Sequence, residues 1–280
     1  MPTSQPHQAG PISDSLLALP ISFWSQRNLI RRLVVREIAA RYRGSVLGIA
    51  WALIGPIALL TVYTFVFTVI FQARWQAEIG NRGDFALNLF TGLIVFQFFS
   101  ECITRAPRLL LENVSYITKI VFPLESLTWV AIGTAAFGVL MNLVVLLLAH
   151  LFLAGWPPAT AFLFPLVMLP LLLITAGITW FLAATGVYLR DLGQLVSVVL
   201  PILLFGSAVF YPLQAVPEPY RGWIALNPLV PIIEMARETL LEGTIPALSG
   251  YVVLTVLGLL LSLLGLTWFR LTKRGFADVV

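Results

Sequence analysis

The chain has 280 residues, 59% of them hydrophobic and 11% charged, with a mean hydropathy of +0.93. Soluble domains carry roughly 25% charged residues. A water-exposed fold of this length could not hide so much apolar surface, so the class that fits is a polytopic, all-α integral membrane protein. The net charge of +4 gathers at the ends of apolar runs, which argues against nucleic-acid binding. The lone Cys102 excludes an internal disulfide and a cysteine metal cluster.

Residues 1–26 read as an N-terminal tail, loose over 1–15 where Pro, Ser, Gln and Gly recur. They lack a basic segment followed by a long apolar core, so no cleavable signal peptide is expected. The stretch LIRRLVVREIAARYR, residues 29–43, predicts an amphipathic helix lying in the membrane interface. Ile30, Val34, Ile38 and Tyr42 recur every fourth residue as an apolar stripe. Arg32, Arg36 and Arg43 lie opposite, and Glu37 is spaced i,i+4 from Arg41, which predicts an ion pair within the helix. A positive anchor that only sets topology has the same pattern. Gly44 and Gly48 then mark the seam between this cationic segment and a charge-free run from Val46 to Phe71.

A spanning helix needs about 20 apolar residues. Six runs qualify, near 46–71, 85–104, 124–150, 161–189, 194–210 and 248–269. Pro165, Pro170 and Pro201 predict kinks in the fourth and fifth. Glu101 and Arg105, i,i+4 at the end of the second run, predict a snorkelling ion pair rather than a proton relay. Arg190 and Asp191 sit at a span junction.

The connection RAPRLLLENVSYITKIVFPLE, residues 105–125, exceeds the roughly 2–8 residues usual between bundle helices. Pro107 suits a first helical turn, and Asn113 or Ser115 could cap a short second helix. A protruding helical hairpin here would be a handle for a partner; an ordinary loop fits the spacing equally. Residues 211–247 hold Pro212, Pro217, Pro219, Pro228 and Pro231, too many for one spanning helix. They are also too apolar for a solvated loop. Short re-entrant helices, dipping into the membrane and returning, satisfy both facts if other protein shields their broken backbone.

Orientation follows from the flanks. With the N-terminus cytoplasmic, that side holds thirteen Lys or Arg residues against four on the other, namely Arg74, Arg82, Arg221 and Arg237. An even number of spans then places both termini inside. No internal repeat of the kind found in inverted-repeat transporters is evident.

Several chemistries are excluded. The two lysines follow Thr118 and Thr272, so no Gly-Lys-Ser/Thr phosphate loop exists. His7 and His150 cannot build a zinc-binding helix or a histidine triad. Aromatic residues are plentiful: Tyr63, Phe67 and Phe71 share one face, and Phe96 and Phe99 another. Such stripes usually pack against helices or lipid, although aromatic walls also suit the apolar faces of sugar rings.

Four stretches in order carry a resemblance: RYRGSVLGIAW (41–51), TKIVFPLE (118–125), YLRDLGQLV (188–196) and FYPLQAVPEPYRGWIALNPLVPIIEMAR (210–237). From about Leu29 onward the chain resembles the membrane subunits of ABC-2 type exporters that move polysaccharides, the group serving O-antigen, capsule and teichoic acid export. The resemblance implies a homodimer working with two ABC ATPase subunits, which would hold ATP and Mg; this chain itself would need no cofactor and no metal. It implies that 29–43 is a gating helix, 105–122 a coupling helix and 211–247 the periplasmic gate. The substrate implied is an undecaprenyl-linked polysaccharide crossing the bacterial inner membrane.

On that reading Arg32, Arg36, Arg41 and Arg43 would meet the lipid pyrophosphate, which guanidinium binds bidentately. Gly44 and Gly48 would be the hinge. Trp51, Tyr63, Phe67, Phe71, Phe96, Phe99, Phe210 and Tyr211 would line the channel. Arg108, Glu112, Asn113, Tyr116 and Lys119 would seat on the ATPase. Competing readings are an ABC-2 permease for a small lipid or drug-like substrate, or a membrane-embedded glycosyl or lipid transferase. The transferase would need an acidic cluster or histidine site that the sequence lacks.

Overall fold

A computed structural model describes residues 13–70, 82–114, 116 and 122–276. Among these residues the protein is all helical. The helices are α1 (Ser13–Tyr42), α2 (Trp51–Thr64), α3 (Arg82–Arg105), α4 (Ser126–Leu153), α5 (Phe164–Tyr188), α6 (Leu192–Phe205), α7 (Glu218–Ala225), α8 (Leu229–Arg237) and α9 (Leu248–Thr272). Short 3-10 or π turns extend several of them, including π turns at Phe65–Ile70 after α2 and at Glu238–Glu242 after α8.

Five helical stretches are long and apolar enough to cross a membrane: Gly48–Phe67, Gly83–Arg108, Ser126–Leu153, Ala159–Tyr188 and Leu248–Gly275. This departs from the six runs expected. The stretch expected to span at 194–210 is helical over only 14 residues, Leu192–Phe205. At 1.5 Å per residue that is about 21 Å, short of the ~30 Å hydrocarbon thickness. A second departure is at the N-terminus, where α1 begins at Ser13, inside the segment read as a tail.

α3 is the central helix, with 72% of its apolar window buried, whereas only 11% is buried in α2. Leu89, Phe90, Ile94, Val95 and Phe98 of α3 lie at the heart of the main core. The tightest crossing joins α5 to α9. Gly177 and Gly265 meet backbone to backbone, Gly258 lies against Pro170, and Ser262 Oγ donates to the Leu173 carbonyl at 2.6 Å. Between helices in lipid no hydrophobic gain separates protein from solvent, so close backbone approach through small residues supplies the attraction. Trp268 Nε1 adds a hydrogen bond to Thr185 Oγ1 at 3.1 Å.

Prolines sit both at the starts of helices and within them. Pro165 and Pro219 occupy first turns, where no amide donor is needed. Pro56, Pro170 and Pro201 are inside helices.

Two ends of the bundle can be distinguished. One carries α1, the C-terminal end of α3 and the turns that follow it. The other carries α7 and α8. At this second end the backbone after α6 leaves the helical path, with Ala208 at φ 52°. Asn227 Nδ2 donates to Gly206 O at 3.1 Å, and Arg237 Nη2 donates to Ala208 O and Val209 O at 3.0 and 2.9 Å. Arg237, counted in the sequence among the four outer-side charges, is fully buried. Freed carbonyls away from water need donors. Arg237 and Asn227 supply them.

Candidate functional site

Two of the four ion pairs found among the described residues lie where α1 meets the rest of the bundle. α1 presents Ile30 and Leu33 to Val130 of α4, forming a small apolar cluster separate from the main core. Val34 presses on Gly133, and Tyr42 meets Phe137 edge-on at 6.5 Å between ring centres. The expected apolar stripe therefore faces protein, while Arg32, Arg36 and Arg43 are exposed.

Three polar links fasten α1 to the α3 side. Arg41 Nη2 donates to Glu101 Oε1 at 2.6 Å, Arg105 Nη2 donates to Glu37 Oε1, and Arg36 Nη2 donates to the Tyr116 hydroxyl at 2.9 Å. The sequence predicted Glu37–Arg41 and Glu101–Arg105 pairs within each helix. The structure exchanges partners between the helices instead. Burial pulls the Arg41 pKa down, and the Glu101 hydrogen bond and charge outweigh it, so the net shift is upward. Arg41 stays cationic.

A cavity of about 390 Å³ opens between α1 and the turns after α3, lined by Arg36, Glu37, Arg105, Glu112, Asn113 and Tyr116 among others. On the other flank of α1 a larger, almost wholly apolar hollow of about 710 Å³ is lined by Val35, Ile38, Tyr42, Ile49 and Phe137, with Arg43 as its charged member. The corner between α1 and α2 runs through Gly44 at φ +85° and Gly48 at φ +53°, and both have open space where a Cβ would stand. The glycines answer a backbone requirement, because that left-handed region penalises a Cβ.

After α3 come short turns at Ala106–Arg108 and Leu111–Asn113. Pro107 lies in the first of these and packs directly on Gly186 of α5. Arg108 and Glu112 are exposed, with Arg108 beside Gly193. Asn113 Nδ2 donates back to Leu109 O at 2.9 Å, and most of the segment it was expected to cap lies outside the described residues. Tyr116 stacks on Phe122 with centroids 4.4 Å apart. Phe71, Ser115 and Lys119 lie outside the described residues.

The aromatics expected along a channel separate into two groups. Phe96 and Phe99 are buried in the main core, at 7% and 5% exposure. Phe67 stacks on Phe85 of α3 at 5.0 Å, and Tyr63 lies 6.2 Å from Phe67. Phe210 stacks on Phe205, and the Tyr211 hydroxyl donates to Phe205 O at 2.7 Å. Trp51 stands exposed at the start of α2, continuous with an apolar face that includes Ile54, Ile57, Val62 and Phe65.

Sequence reasoning missed the exchanged ion pairs and the buried role of Arg237. For the first, the sequence offers each charge two partners of equal merit. For the second, the only signal is an arginine within an apolar, proline-rich stretch.

The family profile described as ABC-2 type transporter matches residues 28–241. The chain is 28% identical to the O-antigen export system permease protein RfbA of Myxococcus xanthus, covering 95% of this chain and 100% of that one. It is 26% identical to the protein of the same name from Klebsiella pneumoniae, over 88% and 92% of the two chains. The polysialic acid transport protein KpsM of Escherichia coli is 26% identical, over 89% and 95%. A profile match across most of the chain, on a helical bundle with five membrane-length apolar helices, places this multi-pass protein in the ABC-2 type transporter membrane family.

Proposed function

We propose that the chain is the channel-forming permease subunit of an exporter that moves lipid-linked, O-antigen-like polysaccharide across the bacterial inner membrane. ATP is hydrolysed in a separate subunit, because neither lysine of this chain follows a glycine and no phosphate loop can form. The observation that carries this reading is near-full-length similarity to permeases named for O-antigen export. Similarity to a polysialic acid transport protein extends it to long glycans as a class. The working unit is a homodimer with two ABC ATPase subunits. The apolar face of α2, only 11% of whose span is buried within the chain, is the surface on which a second copy would pack.

Both termini are cytoplasmic, and α6 completes the sixth crossing together with the backbone up to Phe210. Gly193 at the start of α6 lies beside Arg108 at the α1 end, and Ala208 is held by Arg237 at the α8 end, which supports a segment that runs between the two ends. α7 and α8 form the outer gate. The turns over 106–113 seat on the ATPase. α1 is the gating helix, and Arg32, Arg36, Arg41 and Arg43 draw the lipid pyrophosphate to the corner at Gly44.

The test is the double variant Arg41→Lys with Arg43→Lys, which keeps charge but loses the planar fork. Export of glycan in cells should fall while the variant still co-purifies with the ATPase. Export at the parental rate would refute bidentate recognition and leave these arginines as topology anchors.

A further inference from the structure

The geometry points to a two-state charge latch: Glu37, Arg41, Glu101 and Arg105 hold α1 on α3 by pairing between the helices and release it by pairing within each helix. Arg41 binds Glu101, and Arg105 binds Glu37. Along each helix, however, Glu37 stands i,i+4 from Arg41, and Glu101 i,i+4 from Arg105. That is the spacing at which helical ion pairs form on their own. Every charge in the square therefore has one partner across the contact and one on its own helix.

An ordinary ion pair between helices resists separation, because parting them strands two charges at the edge of a low-dielectric region. Here separation is an exchange of partners and strands none. An element with two satisfied arrangements is what a switching transition requires.

Three further features favour the exchange. The apolar grip on α1, Ile30 and Leu33 against Val130 with Val34 on Gly133 and Tyr42 on Phe137, is made to α4 and not to α3, so among the described residues the links between α1 and the α3 side are polar. The docked arrangement is not fully satisfied: Arg105 Nη1 is buried and has no hydrogen-bond partner among the described residues. The adjoining cavity of about 390 Å³ is lined by both Glu37 and Arg105, which gives their side chains room and water during rearrangement. The Arg36–Tyr116 hydrogen bond ties the same face of α1 to the segment after α3, so release of α1 and movement of that segment are linked. The meaning of the latch for export rests on the reading of α1 as the gating helix. Its existence does not.

The experiment measures distance, not transport. Spin labels on cysteines at the exposed positions Ala39 and Thr104 report α1–α3 separation in the full-length chain in lipid nanodiscs, with the buried Cys102 left in place. The parent should show a docked and a separated population. Exchanging Glu37→Arg with Arg105→Glu keeps both cross pairs opposite in sign but makes each i,i+4 neighbour pair like-charged. The ratio of docked to separated should then rise by about tenfold, as two attractions become two repulsions. The mirror exchange, Arg41→Glu with Glu101→Arg, should do the same. Combining all four substitutions restores both pairings and should return the parental ratio.

If either two-residue exchange leaves the distribution unchanged, the four charges are a static clamp and the latch is wrong. A four-residue variant that behaves like the two-residue ones overturns it equally. Export is not read in this experiment, so an error about the substrate cannot mimic either outcome.

Discussion

Arg237 donates its Nε proton to the carbonyl of Asn88 at 3.2 Å, joining the end of α8 to the first turns of the central helix. The same guanidinium serves Ala208 O and Val209 O and pairs with Glu234 at 2.8 Å. Burial lowers its pKa to about 10, with the Glu234 carboxylate opposing the shift, so it is charged at neutral pH. Replacing it by Met removes the donor that serves the non-helical carbonyls of Ala208 and Val209, the added bond to Asn88 O, and the cationic partner of Glu234. We expect a loss of about 3–5 kcal/mol, read as a thermal midpoint in detergent lowered by roughly 6–20 °C on the globular-protein scale. Arg237→Lys should fail nearly as badly, since an ammonium lacks the fork that reaches all four acceptors. Wild-type melting of the lysine variant would contradict this assignment.

The α5–α9 crossing depends on hydrogen where other residues carry Cβ. A methyl group on Gly177 would overlap the Leu261 carbonyl, and one on Gly265 would overlap Gly177 itself. Each Gly→Ala change should cost about 1–3 kcal/mol through forced separation of the helices. Gly55→Ala is the control, because nothing lies within 4 Å of its Cβ position. It should be neutral or stabilising by about 0.5–1 kcal/mol. Equal effects at all three sites would show that helix propensity, not close packing, is being read.

At the α1–α2 corner the requirement is reversed: space is free and the backbone is not. Gly44→Val and Gly48→Val should each cost about 1–2 kcal/mol. Gly44→Asn and Gly48→Asn should cost less, since Asn tolerates left-handed backbone. The order Val worse than Ala worse than Asn, measured by thermal melting of the purified chain, distinguishes backbone strain from steric overlap.

Gly186 receives the backbone of Pro107. Gly186→Ala must push the 106–108 turn away from α5 while leaving the long helices intact. Co-purification with an ABC ATPase should weaken, and melting should change less than for Gly177→Ala. Undiminished co-purification would mean that this turn does not seat on the ATPase.

Orientation is open to direct labelling, because Cys102 is fully buried and silent. Glu218→Cys and Glu112→Cys place thiols at exposed sites on opposite ends of the bundle. A membrane-impermeant reagent should label the first in intact spheroplasts and the second only after lysis. The reverse pattern would invert the topology and the role of every element.

Much of this protein is legible in one dimension. Lipid reads a segment by its length and polarity, so membrane-length runs stand out without any knowledge of their neighbours. The amphipathic stretch of α1 and the glycine seam are equally local, since each depends only on residues within a turn or two. The helix start at Ser13 escaped because its composition resembles a tail. What a segment touches is another matter. In lipid, a side chain facing the bilayer and one facing another helix are both apolar, so periodicity could not say that Phe96 and Phe99 point into the core while Trp51 stands outside.

The ion pairs show the same limit in charges. A pair within a helix is worth only a few tenths of a kcal/mol, about 0.2–0.5, and a half-exposed pair between helices is worth a similar amount. Sequence fixes which residues are charged and at what spacing. Only the placement of α1 against α3 decides that Arg41 meets Glu101 and not Glu37, and only the break after α6 brings the Ala208 and Val209 carbonyls to the Arg237 guanidinium.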